Sequence, residues 1–212
     1  RPRRRREYPF ALLNQKYNLD QLLAVHNAMK YPLAYVQGPP GTGKTSTIFN
    51  TITTAFFNER TVLVASYNNH PIDSVFEELC NLRCHRGRIP FPAVRLGNSE
   101  KVEEALLYMR RLYEEASRIP IREETLSNNK KKEEHKCREL SQLLARYEEL
   151  NELADTEDAM EKLEETQGSH LNFLVDLQGR QHENLRKRRR ELGEVSVEEA
   201  RRLLPEDSYY LL

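Results

Sequence analysis

The sequence predicts an α/β domain on a parallel sheet, with a long helical arm inserted into it as an antiparallel coiled coil. Three observations lead there. A glycine-rich loop at residues 38–45, GPPGTGKT, joins a strand pattern to a helix pattern. Two further apolar runs, at 61–65 and 93–96, alternate with a stretch of helical spacing. From Glu100 onward glycine and β-branched residues thin out, and Glu, Lys, Arg and Leu take over. Charge divides at the same place. Residues 1–99 hold 13 basic and 6 acidic side chains, a net of +7, and residues 100–212 hold 20 and 27, a net of −7.

Each element has its own signal. Leu33-Ala34-Tyr35-Val36 reads as the first strand, and Thr47-Ile48-Phe49-Asn50-Thr51-Ile52 with Ala55-Phe56-Phe57 as the helix after the loop. Thr61-Val62-Leu63-Val64-Ala65 is apolar and rich in β-branched residues, as suits a parallel strand buried on both faces. Ile72, Val75, Phe76, Leu79 and Leu82 recur at three and four, which predicts a helix from about residue 72. Ala93-Val94-Arg95-Leu96 is the third strand. In such a sheet ligands sit at the carboxyl ends of the strands, where loops 38–45 and 66–71 both fall.

The acidic half reads as helix throughout. A stripe of Val102, Ala105, Leu106, Met109, Leu112, Tyr113 and Ala116 predicts a helix over 100–117 that stops before Pro120. Leu140, Leu143, Leu144, Tyr147, Leu150 and Leu153, then Met160, Leu163, Leu171, Leu174, Leu185 and Leu192, supply the seam of a hairpin. Its turn falls at 155–158 or near Gly168. Lys130–Lys132 and the run Arg186–Arg190 read as an exposed face with glutamates at i±4, or else as a contact for nucleic acid or a partner. Ser196-Val197-Glu198-Glu199 opens a short helix with a capping box, before Pro205.

Composition sets outer bounds. With 212 residues, 31 % charged and a mean hydropathy of −0.77, the chain is one domain plus a segment outside any core. No apolar run approaches the 18–20 or so residues of a membrane span, and no signal-peptide stretch follows Arg1–Arg6. Three cysteines point to a reducing, intracellular compartment, cytoplasmic or nuclear. Cys80, Cys84 and His85 lack the paired spacing of a zinc site and read as structural. Arg1 in place of Met, and the apolar Tyr209-Tyr210-Leu211-Leu212, lead to the expectation that this is a piece of a longer protein. The expected divisions are a basic segment at 1–16, a partial α/β core with the glycine-rich loop at 17–99, a helical insertion at 100–205 and the start of a further element at 206–212.

The loop has a defined chemistry. Gly38, Gly41 and Gly43 let backbone amides turn inward around phosphates at the positive end of the next helix. Lys44 is placed to reach the β- and γ-phosphates, and the Thr45 hydroxyl to ligate Mg²⁺. A chance match to the four fixed positions arises in roughly one chain of this length in a hundred.

The stretch from Tyr17 to Leu79 resembles the start of the first RecA-like domain of superfamily 1B helicases. Asn18-Leu19-Asp20-Gln21 followed by Ala24-Val25 is similar to that family's Q motif, and Val62–Asn69 with Ile72-Asp73 to its motif Ia. The loop itself is shared with other ATPases, so the upstream Gln and the downstream Asn pair choose the family. The resemblance covers about 80 residues, to Gly97, and implies ATP and Mg²⁺ as ligands. It makes Gln21, Gly38, Pro39, Pro40, Gly41, Thr42, Gly43, Lys44, Thr45 and Ser46 the nucleotide-binding residues, with Lys44 and Thr45 catalytic. Gln21 would read the adenine edge, and Ser66, Asn68 and Asn69 would touch single-stranded DNA or RNA. The sequence departs from the family pattern at Tyr67, Asn68 and Pro71, where Pro, Ser or Thr, and a small residue are usual. No run of four aliphatics ending in Asp-Glu follows the loop, and Glu206-Asp207 lies after Pro205.

The function this implies is ATP-driven movement on a single strand by the full-length protein, with the chain alone binding ATP but not turning it over. A helical arm of this kind also suits a protein partner. Two other classes fit the loop: an SMC-type ATPase, whose head precedes a coiled coil, and a nucleotide-sensing scaffold without turnover. The Q motif and the modest arm weigh against the SMC type. A strand ending Asp-Glu-Ala beyond Leu212 would separate the helicase from both.

Overall fold

A computed structural model describes residues 17–58, 60–84, 87–88, 91–97, 99–118, 123–167 and 172–204. Its helices are α1 (Leu19–Lys30), α2 (Lys44–Phe57), α3 (Asn69–Cys80), α4 (Ser99–Ala116), α5 (Glu123–Gln167), α6 (Asn172–Leu192) and α7 (Val197–Leu203). The strands are β1 (Arg83–Cys84) and β2 (Gly87–Arg88).

Among the described residues the parallel sheet expected of an α/β, RecA-like fold is not there. Among the described residues the only paired strands are β1 and β2, an antiparallel pair with Arg83 opposite Arg88 and Cys84 opposite Gly87. Residues 33–36, 61–65 and 93–96 lie outside any ladder, and Leu33 and Leu63 are 86 % and 89 % exposed. The physical reason is that an apolar β-branched run favours extended backbone but does not supply a neighbour. A strand becomes part of a sheet only when its amides and carbonyls meet another strand about 4.8 Å away.

Two apolar cores organise the helices. In the first, Leu19, Leu22 and Val25 of α1 pack with Leu140, Leu143 and Leu144 of α5 and with Ala200 and Leu204 at α7. In the second, Phe49 and Ile52 of α2 pack with Val75 and Leu79 of α3, Leu82 and Phe91, and the rings of Phe56 and Phe91 lie 4.6 Å apart. Helix α2 is buried on two sides. Phe49, Ile52 and Phe56 form its apolar side. Thr47, Asn50, Thr54 and Asn58, at spacings of three and four, form a buried polar stripe on the opposite side, toward α1. Helix hydroxyls on α2 bond back one turn: Thr51 donates to the Thr47 carbonyl at 2.8 Å and Thr53 to that of Phe49 at 3.1 Å.

Helix α5 runs unbroken through 155–158, which removes that position as the hairpin turn; the turn near Gly168 lies outside the described residues. With 45 residues, α5 spans about 68 Å at 1.5 Å per residue. Helix α6 returns antiparallel beside it. The Arg188 guanidinium donates from Nε and Nη2 to the two Glu149 carboxylate oxygens at 2.7 and 3.2 Å, and Arg189 to Glu157 at 3.1 Å. These arginines therefore reach mainly across the hairpin, with Glu191 the neighbour that Arg188 meets on its own helix. Leu140, Leu143 and Leu144, read as hairpin seam, instead dock α5 on α1, because a helix this long presents different faces to different neighbours along its length. Helix α4 differs too: Leu106, Met109 and Tyr113 of its predicted stripe are exposed, and Ala105 and Tyr108 make the contact. The Tyr108 hydroxyl donates to the Phe91 carbonyl at 3.0 Å. The basic segment at 1–16, Lys130–Lys132 side chains and the element at 206–212 lie outside what is described.

His26 sits in the first core's rim. Burial, helped by nearby Lys30, pushes its pKa down from 6.5 to about 4 against an upward pull from Glu148. The unfolded chain then takes up this proton first as pH falls. The associated stability is full above pH 6.5 and is lost as pH drops from 6.5 towards 4. Urea midpoints should therefore fall between pH 7 and pH 5, with a shallower fall in His26→Gln. Leu144, fully buried between α1 and α5, should cost about 2–5 kcal/mol when cut to Ala, and exposed Leu106→Ala about 0.5 kcal/mol or less, both read by urea denaturation.

Candidate nucleotide and nucleic-acid site

The loop is held from inside and from outside. Inside, the Thr42 hydroxyl donates to the Pro39 carbonyl at 2.8 Å, and a Cβ on Gly38 would stand 2.6 Å from Thr42 Oγ1. Gly41 and Gly43 have φ of +85° and +78°, a left-handed region that L side chains rarely enter. Lys44 Nζ folds over the loop and donates to the Gly38 and Pro39 carbonyls at 2.6 and 2.7 Å. Thr45 is exposed one residue into α2, and Pro39 and Pro40 are exposed at the loop's outer edge.

Outside, Gln21 reaches the loop from α1. Asn18 caps that helix, its Oδ1 accepting from Gln21 N at 2.8 Å, while Gln21 Oε1 accepts from Asn18 N at 3.1 Å, which completes a capping box. Gln21 Nε2 donates to the Thr42 carbonyl at 2.9 Å. The structure thus brings Gln21 together with the loop 17 and more residues downstream. Each amide atom keeps a second bonding position, one N–H and one lone pair.

Helix α2 starts at Gly43, which supplies no side-chain cap, so its first amides are not covered by a capping side chain. Together with the Lys44 ammonium and the hydroxyls of Thr42, Thr45 and Ser46, this donor set matches an anionic, phosphate-bearing ligand. Among the described residues no group of three His, Cys, Asp or Glu is placed to hold a metal ion by protein ligands alone.

The second cluster is at 66–69. Asn68 N donates to the Ser66 hydroxyl at 3.2 Å, and Asn68 makes no side-chain cap to α3, which begins at Asn69, three residues ahead of the predicted start. Arg95, which sequence reasoning did not single out as a site residue, organises this corner. Its Nε donates to Asp73 at 2.8 Å, its Nη2 to Asn69 Oδ1 at 3.0 Å and its Nη1 to the Leu96 carbonyl at 2.6 Å. With Oδ1 engaged, the Asn69 amide is turned so that Nδ2 is the group left to donate outward. In the sequence Arg95 stands within Ala93-Val94-Arg95-Leu96, and nothing in its spacing marks it as a site residue.

Residues 16–204 match the family profile described as an AAA domain. The chain belongs to that family. The AAA domain is also 30 % identical over 93 residues to the Regulator of nonsense transcripts 1 homolog of Drosophila melanogaster, a match that takes in 43 % of this chain and 8 % of the relative. Both findings support the resemblance to superfamily 1B helicases and place the AAA domain among helicase-class P-loop ATPases. No solved structure matches it. Among the described residues no helix is long and apolar enough to cross a membrane.

The two left-handed glycines should respond differently to substitution. A Cβ on Gly43 would collide with Gln21 Nε2, whereas one on Gly41 meets nothing within 4 Å. Gly41→Ala should cost about 1–2 kcal/mol, the backbone strain alone. Gly43→Ala should cost more and detach Gln21 from Thr42, seen as a larger drop in melting temperature and a shifted Gln21 side-chain amide signal by NMR.

Proposed function

We propose that this AAA domain is the ATP-binding part of a superfamily 1B helicase or translocase acting on single-stranded nucleic acid. The observation that carries the reading is the bond from Gln21 to Thr42, which joins the glutamine of the Q motif to the glycine-rich loop. In this reading Gly38, Pro39, Pro40, Gly41, Thr42, Gly43, Lys44, Thr45 and Ser46 surround the phosphates of ATP. Lys44 leaves the Gly38 and Pro39 carbonyls for phosphate oxygens, exchanging neutral acceptors for charged ones. The Thr45 hydroxyl is the Mg²⁺ ligand, and that ion supplies neutralisation of phosphate charge. Gln21 offers its second N–H and lone pair to the adenine edge.

Ser66, Asn68 and Asn69 are neutral, exposed donors suited to phosphate and sugar oxygens of a strand, with Arg95 setting the Asn69 amide. The relative regulates transcripts by name, so RNA is the strand favoured over DNA. The chain spans 8 % of that relative, and directional movement is a property proposed for a longer protein. The core at 17–99 carries ATP, and the hairpin of α5 and α6, as a coiled coil beyond its dock on α1, gives a protein partner a surface.

Fluorescent-nucleotide titration tests the reading. ATP should bind the 212-residue chain and fail to bind Lys44→Ala, with hydrolysis at background and unchanged by single-stranded DNA or RNA. Nucleic-acid-stimulated turnover that Lys44→Ala removes would show that a carboxylate within the chain completes the site. Equal ATP affinity in Lys44→Ala and the parent would refute the phosphate assignment.

A further inference from the structure

We propose that Tyr147, on the arm helix α5, is a positioning residue for the nucleotide site: its hydroxyl holds Asp20 and so fixes Gln21 against the glycine-rich loop. The Tyr147 hydroxyl donates to Asp20 Oδ1 at 2.7 Å, across 127 residues of sequence. Asp20 precedes Gln21 in the first turn of α1. One position along α5, Glu148 Oε1 accepts from Asn27 Nδ2 at 2.9 Å. Asp20 and Asn27 are seven apart, two turns, and lie on one face of α1. Consecutive residues of α5 therefore hold that face at both ends.

The apolar contact between these helices does not do this by itself. Leu22 and Val25 against Leu140 and Leu144 supply adhesion, but burial of apolar surface has no preferred direction and tolerates small slides and rotations. A directional bond at each end of α1 removes that freedom. Gln21 then points to the Thr42 carbonyl, and its capping bonds to Asn18 keep the amide plane fixed. Burial and Asp20 both raise the Tyr147 pKa above its ordinary 10, so the phenol stays a proton donor at any physiological pH.

The proposal rests on the reading of Gln21 as the adenine contact, and the experiment separates the two. ATP and GTP affinities are measured for the 212-residue chain, Gln21→Ala, Tyr147→Phe and the double variant. Tyr147→Phe, which removes one oxygen, should lower the ATP:GTP affinity ratio about three- to tenfold with a melting temperature within about 3 °C of the parent. The double variant should match Gln21→Ala alone, since both act on one contact. A ratio lowered by Gln21→Ala and untouched by Tyr147→Phe overturns the positioning role. A ratio that neither Gln21→Ala nor Tyr147→Phe changes overturns the base reading. Amide hydrogen exchange at Gln21 tests the strut without nucleotide: faster exchange is expected in Tyr147→Phe and Asp20→Ala, and the parent rate in Asp20→Asn, which keeps an acceptor. An unchanged rate in Tyr147→Phe overturns the proposal whatever the affinities show.

Discussion

Helix α1 has 12 residues, too few to be stable alone in water, and the molecule is arranged around keeping it in place. Leu19, Leu22 and Val25 meet Leu140, Leu143 and Leu144 of α5 and Ala200 and Leu204 at α7. Each fully buried side chain of this size contributes about 1.5–3 kcal/mol. The exposed ion pairs of the arm, Arg188 with Glu149 and Arg189 with Glu157, are worth about 0–1 kcal/mol each. Apolar burial therefore decides that α1 and the arm stay together, and the charged pairs add links between α6 and α5. Because the same short helix presents Gln21 to the loop, the base of the arm and the candidate nucleotide site share one foundation.

Helix α2 meets a different demand. It must start at a loop in which Gly41 and Gly43 have positive φ, pack an apolar side on α3, and bury its other side against α1. Thr47 serves the last of these because its hydroxyl donates to the Gly43 carbonyl one turn earlier, at 3.2 Å, leaving a methyl group for packing. The cost is modest helix propensity, which the two-sided burial offsets. Beside it, residues 61–64 and 91–96 line a cleft of about 480 Å³ with Phe76 and Leu79. Their apolar side chains meet that cleft or solvent, since no backbone ladder joins them.

The candidate site was legible in unequal parts. The glycine-rich loop could be read because its chemistry needs fixed residue types at fixed spacing, and Gln21 because its motif is local. The amide geometry of Asn69 could not, since it depends on Arg95, 26 residues away, and Arg95 in turn on Asp73. Tyr147 was equally hidden. In sequence it is one more member of a leucine-rich stripe, and its hydroxyl acquires a task only when α5 lies against α1.

By itself the sequence determined the loop, the cap at Ser196, the helices from α2 onward and the reversal of charge near residue 100, because these follow from interactions within a few residues. Tertiary structure decided everything that needed a distant partner. It left residues 33–36, 61–65 and 93–96 outside any ladder, against the parallel sheet their composition suggested. It also turned Leu140, Leu143 and Leu144 from the hairpin's seam to α1. The physical reason is common to both. Local preference sets backbone shape and which face is apolar, but which surface covers that face is settled only by what the rest of the chain brings alongside.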